Sequence, residues 1–327
     1  MLRSRLCTGF IFSLLLGVFL MPGCVDMMPD GGTDGDGMDD GPVAEGISGK
    51  LGDPLPNATD DQLASFERGK SVFNRVFDLE DGLGPAFNVT FCGACHERPT
   101  VGGSAGLYRN FVIAGRLTDD GAFLFSESAG DADGVLRKFA YSDDLPARPD
   151  IPSNATIFAQ RNPIPFFGVG LLAELSDEEI LRRVDPDDAD GDGISGRANF
   201  DRGFVGRFGR KSQTVSIEGF IRGPLFNHLG ITSDPLTEVQ RALLPVDSSL
   251  DGLDGTGKLR PRLQAAAPDG PLTDDDAAPD PELSTDELFD LVSFSMLLAA
   301  PTLEEPTEQT NRGRLLFHDA GCVACHT

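Results

Sequence analysis

The sequence predicts a mainly α chain: two similar domains with long irregular loops and a small β-hairpin, the second domain incomplete. Three observations carry that expectation. The segments Arg68-Gly69-Lys70-Ser71-Val72-Phe73 and Arg312-Gly313-Arg314-Leu315-Leu316-Phe317 share one pattern, and each precedes a Cys-x-x-Cys-His pentapeptide. Helix-opening pairs stand at Thr59 and Gln62, Ser176 and Glu179, and Ser284 and Glu287. The 39 glycines and 23 prolines of the 327 residues are more than tidy helices use, so long loops are expected.

The chain reads as five stretches. Residues 1–23 are a secretory signal: Arg3 and Arg5 precede an apolar run over 6–20, shorter than the ~18 residues a spanning helix needs. The run ends in Leu20-Met21-Pro22-Gly23-Cys24. Gly23-Cys24 resembles the end of a bacterial lipobox, while Met21 and Pro22 depart from it. Export to the periplasm or cell surface is expected, with Cys24 as a lipid-carrying N-terminus on a bacterial membrane. Residues 24–58 form an acidic flexible tether, Asp/Gly-rich over 26–46 with almost nothing apolar to bury. Residues 59–245 are the first domain and 246–283 an Asp/Pro/Gly-rich linker. Residues 284–327 are the start of the second domain.

Composition excludes some partners and favours others. Lys plus Arg is 27 against 52 for Asp plus Glu, a net charge of −25. Such a surface repels phosphate backbones, so nucleic acid is not a partner, and a small basic protein is favoured instead. Hydrophobic residues at 40% are enough for real cores.

Each element has a local reason. From Thr59, residues Leu63, Phe66, Phe73, Val76 and Phe77 fall on roughly one helical face. Phe111-Val112-Ile113-Ala114 and Phe123-Leu124-Phe125 flank Asp120-Gly121, a hairpin-turn pair. Ser176 opens a short helix running to Val184. Ser284 opens one that carries Leu288, Leu291, Val292 and Leu298 and stops at Pro301.

The pentapeptides Cys92-Gly93-Ala94-Cys95-His96 and Cys322-Val323-Ala324-Cys325-His326 match the c-type haem attachment pattern. Thiols at i and i+3 share one side of a helical turn, where they can add to the two vinyl groups of one porphyrin. The histidine at i+4 then offers a ring nitrogen to the iron. A four-cysteine zinc site, a thioredoxin-like pair or two local disulfides would use the same cysteines. Zinc does not explain a histidine after each second cysteine, and the redox pair wants a βαβ setting that is absent. Two covalent haem c groups and two cytochrome-c-like domains are therefore expected, with His96 and His326 as proximal ligands.

A third motif points to calcium. Counting Asp188 as position 1, carboxylates fall at Asp188, Asp190 and Asp192, glycine at 193 and the Ile194 carbonyl at 7. Position 12 is Asn199 instead of Glu, so a weak site is expected; the bland reading is an acidic turn. Candidates for a second axial ligand are few. His228 is the better catalytic, distal-side candidate, His318 reads as a surface residue, and Met296 is either an axial ligand or core.

Several segments together resemble the di-haem oxidoreductases, a family of peroxidase type also called thiol oxidoreductases. They are Asp81-Gly82-Leu83-Gly84-Pro85-Ala86-Phe87-Asn88, Gly102-Gly103-Ser104-Ala105-Gly106, Phe167-Gly168-Val169-Gly170-Leu171-Leu172, and Asp190-Gly191-Asp192-Gly193-Ile194-Ser195-Gly196-Arg197. Gly206-Arg207-Phe208-Gly209-Arg210 and Gly230-Ile231-Thr232-Ser233 extend the likeness, which covers about residues 60–327. The family is related to bacterial di-haem cytochrome c peroxidases. The resemblance implies that one haem collects electrons and the other handles peroxide or a similar small oxidant. The competing readings are a c-type electron carrier without turnover and an inactive fragment of the enzyme. The related enzymes that oxidise a partner protein through aromatic relays fit less well, because Trp is absent and only Tyr108 and Tyr141 are present. The family continues well beyond the residue matching Thr327, so a truncated or split product is expected; the alternative is a second pocket completed by another chain.

Overall fold

The computed structural model describes residues 46–126, 134–141, 148–246, 274 and 276–326. The predicted leader, Cys24 and most of the predicted linker lie outside the described residues. No helix among the described residues is long and apolar enough to cross a membrane.

In chain order the strands are β1 (Ser48–Gly49), β2 (Ala86–Phe87), β3 (Phe111–Leu117), β4 (Phe123–Phe125), β5 (Phe139–Ala140), β6 (Ile157–Arg161), β7 (Phe200–Asp201), β8 (Phe204–Val205) and β9 (Ala300–Pro301). The α-helices are α1 (Asp60–Asn74), α2 (Leu171–Glu174), α3 (Asp177–Leu181), α4 (Ile217–Pro224), α5 (Glu238–Ala242), α6 (Thr285–Leu297) and α7 (Glu308–Asp319). This is not a mainly α chain. Among the described residues, four small sheets interleave with helices of which several are only one turn long. The cause is backbone accounting: loops rich in glycine and proline cannot satisfy their amides in helices, so remote stretches pair instead.

The centre of the fold is the crossing of α1 and α6. Thr59 and Gln62 cap α1 reciprocally, and Ser284 and Glu287 do the same for α6. Phe66 and Phe73 each lie 5.0 Å, centroid to centroid, from Phe294. Asp290 accepts from Arg68 Nε at 2.7 Å and Nη2 at 2.8 Å. Arg75 pairs with Glu287 at 2.6 Å. Phe66, Phe73 and Phe77 are buried as expected of one apolar face, whereas Leu63 and Val76 stay exposed. Helix α6, assigned above to the second domain, thus packs into the first.

Two other expectations change. The tether does not extend to residue 58: β1 pairs with β9 in parallel, and Leu55 N–H donates to the Leu297 carbonyl at 2.8 Å. Leu55 and Ala58 pack apolar surface against the core. The hairpin forms as β3–β4, with Gly121 at φ +85° in its turn, and gains a third strand when β6 pairs with the other edge of β3. The Ser176 cap holds, but α3 ends at Leu181, short of Val184.

Candidate functional site

Phe91 is extended (φ −164°), and the chain then closes one tight turn over Cys92–Ala94. All four described cysteines of the two motifs are unpaired thiols. Burial, reinforced by the neighbouring Cys95, pushes the Cys92 thiol up to about 12. Burial also raises Cys95, against Arg109 and Lys138. Protonated, apolar-facing thiols are poor thiolate ligands. Among the described residues, no cysteine joins a cluster of three or more metal-ligating groups. The four-cysteine zinc alternative therefore finds no support.

His96 is held on three sides. Its Nδ1–H donates to the Gly103 carbonyl at 2.9 Å, which leaves the lone pair on Nε2. Its ring stacks on Phe166 at 4.5 Å and 26°, and Phe73 lies 6.1 Å away. Gly102, at φ +86°, turns the chain back so that its N–H reaches the His96 carbonyl at 3.0 Å. Burial lowers the His96 pKa to about 4, opposed by the Gly103 and Ile164 carbonyls, so the ring is neutral at pH 7.

His96, Cys92 and Cys95 border a cavity of about 680 Å³ walled by Phe73, Val89, Phe111, Ile113, Phe166 and Leu291. Its size falls within the roughly 300–1,000 Å³ of cofactor pockets. His228 borders the same cavity, from the turn Leu225–Leu229 that follows α4. Phe111 meets its ring edge-on at 4.7 Å. Burial lowers its pKa to about 4, helped by Arg137, His96 and Lys138. Met296, the other axial candidate, does not line the cavity; it is 1% exposed within the α6 core.

The second motif repeats the local geometry without the walls. Phe317 lies 5.9 Å from His326, much as Phe73 lies from His96, and Cys322–Ala324 closes the same kind of turn. Cys325 and His326 are exposed, as is all of α7. His318 is on the surface.

A family model described as "Di-haem oxidoreductase, putative peroxidase" matches residues 149–327. The chain belongs to the di-haem oxidoreductase family. No curated protein and no solved structure matches it. Haem is the cofactor that family name implies, and the first site fits it: a cavity with apolar walls that Arg109, Lys138 and Arg161 also border, two reduced thiols on one turn, and a neutral histidine whose Nδ1 proton is already committed.

In this family member the acidic loop is arranged differently from the expectation. Ligand oxygens of Asp185, Asp188 and Asp190 lie within 4.8 Å of one another. Asp192 stands outside that cluster, its Oδ1 accepting from Ile194 N–H at 2.7 Å. Asn199 is turned away, donating to the Lys211 carbonyl at 3.0 Å and accepting from Phe200 N–H. Asp185, three residues upstream of the counted loop, was missed because the EF-hand count starts at Asp188. A second cluster, Asp274, Asp276 and Glu282, was also missed, since its members fall in what reads as linker. Glu282 there accepts from Thr232 N–H at 2.6 Å.

Proposed function

We propose that this chain is an exported c-type di-haem oxidoreductase that reduces peroxide with electrons from a small basic cytochrome. The observation that supports it most is the His96 arrangement: a proximal-type imidazole, its Nδ1 proton held by Gly103, beside two thiols at a cavity that a second histidine, His228, also borders. Cys92 and Cys95, and Cys322 and Cys325, would each add S–H across one vinyl double bond, the sulfur forming the thioether and the hydrogen going to the other carbon. The bound haem supplies the electron-transfer and oxidant-binding centre, and the net reaction takes peroxide, two electrons and two protons to two waters.

The chain's own residues do the rest. Gly103 orients the His96 ring and Phe166 covers its face; Phe73, Phe111 and Ile113 give the cavity apolar surface. His228 would offer its ring nitrogen to a small oxidant bound in the same cavity. The lipobox-like end at Cys24 supports anchoring at a membrane surface, and the carboxylates of Asp185, Asp188 and Asp190 support weak calcium binding. The experiment is maturation of the full chain in a c-type haem-loading host, followed by peroxide consumption with reduced cytochrome. Covalent haem with donor-dependent turnover supports the proposal; covalent haem without turnover leaves an electron carrier.

A further inference from the structure

We infer that Asn88 is a positioning residue that holds His228 in the tautomer that donates a hydrogen bond into the cavity, which prevents it from serving as an iron ligand. The inference rests on the haem reading of the cavity for its consequence, though not for the tautomer itself.

The backbone comes first. Asn88 follows β2, and its N–H donates to the His228 carbonyl at 2.7 Å; four residues earlier, Gly84 N–H donates to the Leu229 carbonyl at 2.9 Å. The two segments approach so closely that a Cβ on Gly230 would lie 2.0 Å from the Gly84 carbonyl oxygen. On the other side of the turn, Arg137 donates to the carbonyls of Phe226 at 2.6 Å and Asn227 at 3.2 Å. His228 is thus fixed from both flanks before its ring makes any contact.

The ring is then set by one bond. Asn88 Nδ2 lies 3.1 Å from His228 Nδ1. An amide nitrogen only donates, so Nδ1 accepts, and the single proton of the neutral ring must sit on Nε2. Among the described residues no group pairs with that Nε2–H, and the ring borders the cavity. Asn88 Oδ1 is meanwhile fully buried with no partner. A contact kept while its own acceptor goes unpaired is shaped by the site more than by stability.

The two histidines therefore differ in kind. His96 carries its proton on Nδ1 and offers a lone pair at Nε2; His228 does the reverse. A nitrogen bearing a proton cannot coordinate iron, but it can donate to the oxygen of a peroxide. His228 would therefore not occupy the iron of a haem held by His96, and would offer a hydrogen bond to an oxidant bound there instead.

The test uses a full-length Cys322→Ser, Cys325→Ser variant, which carries the first haem alone. Its ferric spectrum should be high-spin, and His228→Ala should leave it high-spin. Asn88→Asp replaces the donor with an acceptor, moves the ring proton to Nδ1 and frees Nε2. The haem should become low-spin, with peroxide turnover falling about 100-fold or more. Adding His228→Ala to Asn88→Asp should restore the high-spin signal. A low-spin parent that His228→Ala converts to high-spin would overturn the inference. Nitrogen-15 NMR of the His228 ring in the haem-free chain separates this failure from failure of the haem reading. A proton on Nε2 upholds the clamp whatever binds in the cavity, and a proton on Nδ1 refutes it.

Discussion

Gly69 of α1 sits directly against Asp290 of α6: a Cβ at position 69 would lie 1.9 Å from the Asp290 carbonyl oxygen and 2.7 Å from Phe294 Cβ. That is backbone against backbone, so no rotamer change relieves it. Gly313 holds the same place in the repeated segment of α7, and a Cβ there meets nothing within 4 Å. One substitution should therefore have opposite signs at the two sites. Gly69→Ala forces the central crossing apart and should cost about 3 kcal/mol or more. Gly313→Ala removes backbone freedom from an exposed helix and should stabilise that helix by roughly 0.5–1 kcal/mol. Denaturant melts of the two variants check this, and equal effects would show that the α1–α6 crossing is not as tight as described.

The carboxyl of Asp274 should make stability depend on pH in the sense opposite to ordinary acids. Burial, with Asp276, Glu282 and Asp280 nearby, raises its pKa to about 6. Burial also raises Glu282. The folded state therefore binds a proton that the unfolded state, titrating near 3.8, releases. The ionised cluster weakens the fold above pH 6, and the penalty fades as pH falls towards 4. Asp274→Asn should raise Tm by a few degrees at pH 7.5 and leave it unchanged near pH 4. A gain that is the same at both pH values would mean that the carboxyl's charge is not the cause.

Local chemistry was readable and remote pairing was not. The caps at Thr59 and Ser284, the Asp120-Gly121 turn and the Cys-x-x-Cys-His motifs each lie within a few residues, so spacing alone places them. The fold class failed because strands such as β1 and β9 are two residues long and separated by about 250 positions, with no periodicity to detect. The role of α6 failed likewise: nothing in Ser284 or Leu288 says that their helix belongs with Phe66 and Phe73. Asn88 ends the family-like segment that begins at Asp81, yet its partner His228 is 140 residues away. Only the folded chain brings the two together.

Calcium should stabilise the fold through Asp185, Asp188 and Asp190, not through the residues that the EF-hand count selects at positions 5 and 12. Binding only to the folded loop would add about 2.7 kcal/mol at a concentration 100 times Kd. Melting in millimolar calcium against chelator should show an upward shift for the parent chain. Asp185→Asn and Asp188→Asn should lose it. Asp192→Asn can still accept from Ile194 N–H, and Asn199→Ala removes a side chain tied to Lys211, so both should keep it. No shift in the parent chain would mark the loop as a plain acidic turn.

Electron delivery should be sensitive to salt. A chain with a net charge of −25 creates a field that draws in a cationic donor before contact. Screening shortens the reach of that field to about 10 Å at 0.1 M salt and about 3 Å at 1 M. Steering acts on encounter, so kcat/KM for a basic cytochrome should fall about tenfold or more between 10 mM and 0.5 M salt. With donor saturating, kcat should change little, because encounter no longer limits the rate. An acidic cytochrome of matched potential provides the control: its kcat/KM should rise with salt as repulsion is screened. A flat dependence for both donors would show that the donor docks where the chain's charge is locally balanced, and the expectation of a basic partner would fall with it.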